Sequence, residues 1–73
     1  MNTVRIYIDE NLDTARLKSL KQLIEEIPHV VDVEISEKEP HEVVVDYEEQ
    51  QNMPVKLIEI LRAKGFHPDI LSA

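Results

Sequence analysis

Asp9, Glu10 and Asp13 crowd one short polar stretch, and two of the three histidines, His41 and His67, stand farther along the chain. Carboxylates and imidazoles are the donors that suit Zn²⁺, Ni²⁺ or a harder divalent ion, since oxygen and nitrogen ligands need no thiolate. No cysteine is present, which removes thiolate metal sites, disulfides and thiol nucleophiles together. The donors show no tight spacing such as His-x-x-x-His, so only a fold that gathers their loops would make them one site. Each also has a plainer role. Loop charges are usually solvated, and Asp13 just before a helix is a natural N-cap.

Other chemistry finds less support. Asp9 and Glu10 are adjacent carboxylates of the kind used in general acid-base catalysis, but neither a nucleophile nor an apolar pocket accompanies them. Asn11 and Arg16 are suggestive of phosphate binding, yet their loop has no glycine and carries three acids that repel phosphate. No enzymatic activity is expected. Fifteen acidic against eight basic residues give a formal charge of -7, which disfavours nucleic acid and anionic membranes and favours cations or a basic protein surface. Apolar runs reach only three residues, so neither a signal peptide nor a membrane span is expected, and a cytoplasmic location is the default.

The elements that would position these residues follow from periodicity. Val4, Ile6 and Ile8 alternate with Arg5 and Tyr7, the period of a half-buried strand. Leu17, Leu20, Ile24 and Ile27 form one stripe of a helix that starts at Asp13 or Thr14 and is stopped by Pro28. Val31, Val33 and Ile35 predict a second strand, Ser36 to Pro40 a charged hairpin connection, and Val43, Val45 and Tyr47 a third strand. Asn52-Met53-Pro54 enters a second helix, with Val55, Leu57, Ile58 and Leu61 as its apolar face. Gly65, the only glycine, suits the left-handed exit of that helix, and Phe66 to Leu71 is a short fourth strand.

Strand, helix, two strands, helix, strand is a split βαβ pattern filling residues 1–73 as one α+β domain. Its four-stranded antiparallel sheet has the expected order 4-1-3-2, with both helices on one face. This topology places the loop after the first strand, the hairpin and the turn before the fourth strand at one end of the sheet. That end collects Asp9, Glu10, Asp13, Glu37, Glu39, His41 and His67, while His29 falls at the other. Arg5, Tyr7, Asp32, Glu34, Val44 and Asp46 fall on the face without helices.

Three stretches carry a resemblance to a known family. Ile27-Pro28-His29-Val30-Val31-Asp32-Val33-Glu34-Ile35, Val43-x-Val45-x-Tyr47 and Pro54-x-x-Leu57-Ile58-x-x-Leu61-x-x-x-Gly65-Phe66 occur in the order and spacing of the heavy-metal-associated (HMA) domain, which the chain resembles from about Val4 to Leu71. The resemblance implies a ferredoxin-like βαββαβ fold and a connection with metal ion binding or transport, with a metal transporter as partner. It also implies a Met-x-Cys-x-x-Cys loop before the first helix, and counting back from Pro28 puts Asp13 and Arg16 at the cysteine positions. Neither offers sulfur, and Arg16 brings a permanent positive charge. His29 stands where the family has glycine.

The chain therefore reads as a degenerate HMA domain. If it binds a divalent metal ion, Asp9, Glu10, Asp13, His41 and His67 are the candidate ligands. The alternative is a metal-free interaction or regulatory module on the same fold, with an ACT-like small-molecule sensor as a weaker third reading.

Overall fold

Alternation in the first strand is realised as the expectation has it. In the computed structural model, which describes residues 1–36 and 38–73, β1 spans Asn2–Ile8 with Val4, Ile6 and Ile8 fully buried and Arg5 and Tyr7 facing away. The helix α1 spans Thr14–Glu25, followed by β2 (Val30–Ile35), β3 (Glu42–Tyr47), α2 (Met53–Ala63) and β4 (Pro68–Ser72). The sheet is antiparallel, in the order β2-β3-β1-β4, so β1 and β3 are central and β2 and β4 are edges.

Both helices cover the same face. Leu20 and Ile24 of α1 and Met53, Leu57 and Leu61 of α2 join Val4, Ile6, Ile8, Val33, Val43, Val45 and Tyr47 in one core cluster. Burial of such side chains is the main stabilising term, at about 1.5–3 kcal/mol each. No helix is long and apolar enough to cross a membrane among the described residues.

Three details differ from the periodic reading. Val31 was expected to point into the core but is 52% exposed, because the β2–β3 register shifts between Val30 and Asp32. A bulge gives one strand an extra residue and reverses parity across it, so Val30 packs against the core instead. In α2, Val55 is exposed and Met53 is buried, since Met53, Leu57 and Leu61 are spaced four apart and stack along one stripe. The fourth strand begins at Pro68, two residues after the expected start.

Its late start follows from the end of α2. Gly65 has φ +92°, and the Gly65 N–H donates to Arg62 O while the Phe66 N–H donates to Leu61 O. These paired bonds are a Schellman cap. Phe66 is thereby held against the core as part of the turn. At the other helix junction His29 adopts φ 75°, the left-handed conformation for which a glycine is better suited.

Candidate functional site

The end of β1 gathers the neighbouring loops through backbone hydrogen bonds. On one side the Ile8 N–H donates to His41 O at 2.8 Å; on the other the Asp9 N–H donates to His67 O at 3.2 Å. The first loop therefore lies between the β2–β3 connection and the turn before β4, at one end of the sheet. Glu37 lies outside the described residues.

Side chains at this end go separate ways. Glu10 reaches His67, accepting the His67 backbone N–H at 3.0 Å on Oε1 and a second hydrogen bond from the ring Nδ1–H on Oε2. The hydrogen bond to the ring and that to the backbone hold the Glu10 carboxyl below its ordinary value of 4.5. The same bond to Glu10 raises the His67 imidazole above 6.5. His67 is largely exposed, so solvent screens the pair and its energetic weight is small.

His41 turns the other way. Its Nδ1–H donates to Ile8 O at 2.6 Å, since a carbonyl can only accept, and its ring stacks on Tyr7 with centroids 5.2 Å apart. Asp13 caps α1: its Oδ1 accepts the Arg16 N–H at 2.8 Å. Asp9 is exposed and Glu39 lies in the hairpin connection. Of the five candidate ligands, the fold brings Glu10 and His67 into contact and gives Asp13 and His41 other partners. Among the described residues, no group of three or more His, Asp or Glu is placed to hold a metal ion.

The fit to a soft metal at the start of α1 can be judged from the donors present. Asp13 offers a hard carboxylate already engaged with the helix terminus, and the guanidinium of Arg16 opposes any cation. These residues do not fit a thiolate-type Cu(I) site.

The helix-free face is the other feature with chemical character. Register aligns it in three rows: Asp32, Asp46 and Thr3; Glu34, Val44 and Arg5; and Glu42, Tyr7 and Asp69. Arg5 pairs with Glu42 at 2.9 Å, and the Thr3 hydroxyl donates to Asp46 at 2.6 Å. An open hollow of about 640 Å³ runs from this face around the β2 edge, lined among others by Arg5, Asp32, Glu34, Glu42 and Val44 and, from α1, by Lys21. Sequence reasoning placed Arg5, Tyr7, Asp32, Glu34, Val44 and Asp46 on this face and missed Thr3, Glu42 and Asp69. The signal for Glu42 was its position next to inward Val43; for Asp69 there was none, because pairing with Tyr7 depends on where β4 starts.

Neither a family model nor a curated protein matches the sequence. Solved structures do match the fold. The chain is similar to the yeast copper transporter domain Ccc2a, determined in apo and Cu(I)-loaded states, with a TM-score of 0.83 and 20% identity over 97% of this chain and 96% of that one. It is similar to oxidized MerP from Ralstonia metallidurans, with a TM-score of 0.82 and 17% identity over 97% of both chains. The N-terminal domain of ZntA in its Zn(II) form is a further neighbour, at a TM-score of 0.79 and 12% identity over 97% of this chain and 94% of that one. Likeness at this level establishes the ferredoxin-like βαββαβ fold.

Proposed function

We propose that this chain serves metal ion transport as a degenerate HMA domain, acting in the cytoplasm by docking to a metal-transporting partner instead of carrying a soft metal itself. The observation that carries the reading is the end-to-end match to the yeast copper transporter domain, set against a helix start where Asp13 is a hydrogen-bonded cap and the next expected ligand position is Arg16. The fold is retained; the soft-metal chemistry is not. The similarity to a copper transporter domain favours a non-enzymatic role.

A second reading is favoured by the contact between Glu10 and His67, which joins two of the five candidate ligands. The hydrogen bonds of His41 and His67 use Nδ1 and leave Nε2 for a divalent ion, to which Asp9, Glu10 and Asp13 would add carboxylate oxygens. Titration of the isotope-labelled protein with Cu(I), Zn²⁺ and Ni²⁺, following every backbone amide, separates the two. The docking reading expects no saturable shifts with any of the three. Saturable Cu(I) shifts at the start of α1 would overturn it. Saturable Zn²⁺ or Ni²⁺ shifts confined to residues 9–13, 41 and 67, and lost in His67→Ala, would establish the divalent site.

A further inference from the structure

Charge in this fold is sorted by layer. The four strands contain Asp32, Glu34, Glu42, Asp46 and Asp69 against a single cation, Arg5. The two helices reverse the balance, with Arg16, Lys18, Lys21, Lys56 and Arg62 against Glu25 and Glu59. A chain of net charge -7 thus presents a helix layer with a surplus of cations and a sheet face with a surplus of acids. Overall composition does not require this; it follows from which residues occupy the outward parity of each strand.

The register of the sheet face also sets two like charges on facing positions. Asp32 on β2 stands directly opposite Asp46 on β3, and like charges facing each other across strands are destabilising. The Thr3 hydroxyl is the hydrogen-bond donor to Asp46, and Arg5 is engaged by Glu42. Among the described residues, Asp32, Glu34 and Asp69 form no ion pair. A cation laid over the Asp32–Asp46 row would relieve repulsion that the free protein bears.

We infer that the helix-free face of the sheet is a docking surface for a protein partner that presents lysine and arginine side chains. The inference deepens the docking reading above by naming the face and the partner's chemistry. Recognition follows from the geometry. Half-buried Val44 lies between Glu34 and Arg5 in the middle row, so the aliphatic stem of a partner's Lys or Arg can rest on it while the charged head reaches the carboxylates of the hollow. Tyr7, 37% exposed and steadied by the His41 ring, offers an aromatic surface to a guanidinium. A second copy docking sheet to sheet is disfavoured by the mutual repulsion of two acidic faces. Nucleic acid is disfavoured for the same reason.

The experiment uses a short peptide alternating Lys and Arg with Ala, titrated into the isotope-labelled protein at low and physiological salt. One variant, Asp32→Lys with Glu34→Lys, reverses charge on the sheet face; a control, Glu25→Lys with Glu59→Lys, makes the same change of net charge on the helix layer. Shifts are expected around residues 3–7, 32–34, 42–46 and 69, weakening with salt. Affinity should fall about tenfold or more in the sheet variant and about threefold or less in the control, because close charge pairs outweigh distant ones. Equal losses in the two variants, or shifts centred on the helices, would overturn the inference by showing attraction to net charge alone. Sedimentation of the free protein checks the occupant: a dimer abolished by the sheet variant would assign the face to a second copy. Thermal melts of both variants guard against unfolding, and the sheet variant should melt no lower than the control because it removes the Asp32–Asp46 repulsion. Saturable metal binding with peptide docking intact would refute the docking reading of function and leave the sheet surface standing.

Discussion

Replacing Asp13 by alanine should destabilise the protein by about 1 kcal/mol, within the 0.5–2 kcal/mol that loss of an N-cap costs. The magnitude has two sources here. Asp13 Oδ1 is the acceptor for the Arg16 N–H at 2.8 Å, and α1 has no acidic residue in its first turn, so Asp13 also supplies the nearby negative charge that favours a helix N-terminus. In a domain of this size, 1 kcal/mol at the midpoint corresponds to roughly 4–8 °C. Asp13→Asn separates the two contributions: it keeps an acceptor oxygen and loses the charge, so it should retain about half or more of the stability lost in Asp13→Ala. Circular dichroism melts at neutral pH and moderate salt read both. An Asp13→Ala melt within about 1 °C of the unsubstituted protein would refute the cap argument, because a side chain that satisfies a helix terminus cannot be removed at so little cost.

Leu57→Ala should cost roughly 2–5 kcal/mol, since Leu57 is fully buried at the centre of the core; urea titration measures the loss, which is a large fraction of the stability of so small a chain. Gly65→Ala should cost about 1–2 kcal/mol from the backbone alone, because φ is +92° while no neighbouring atom lies within 4 Å of the added Cβ; Gly65→Asn should cost less in the same melt. The Glu10–His67 pair should add a small pH-dependent stability. The His67 contribution is fully present below pH 6.5 and lost as pH rises through its raised value, whereas that of Glu10 is fully present above pH 4.5 and lost as pH falls through its lowered value. Proton NMR should find His67 titrating above 6.5, and Glu10→Gln should bring it down.

Strand parity and helix stripes were legible wherever one residue in two or in three to four is apolar, as in Val4-Ile6-Ile8 or Leu20-Ile24-Ile27. Legibility stopped where the backbone breaks its own period. Val30 and Val31 are chemically identical, so only the bulge decides which one is buried, and the bulge has no sequence marker. Val55 turns outward because it is two residues from Leu57 and so on another side of the helix, whereas Met53, four residues away, shares the buried stripe. At the candidate site, the meeting of the three segments was readable from topology, since strand order alone sends them to one end. The destinations of the side chains were not. Glu10 meets His67 and His41 meets Ile8 and Tyr7 through local bond geometry that residue spacing does not encode.

The separation of fold from soft-metal chemistry has a structural basis. Among the described residues, none in the buried core is polar or charged, and from the stretch between β1 and α1 only Leu12 packs against the core. Asp13 and Arg16 therefore stand at the rim, where the choice of residue governs helix capping and surface charge with no effect on how the sheet and helices pack. A thiolate pair can be absent from that rim without removing a single core contact, so retention of the fold by itself says nothing about metal capture. The outward rows of the sheet are equally free of packing constraint, yet they hold five acids, two of them face to face across strands at a cost to stability. Packing does not explain that arrangement; a cationic surface laid against it would.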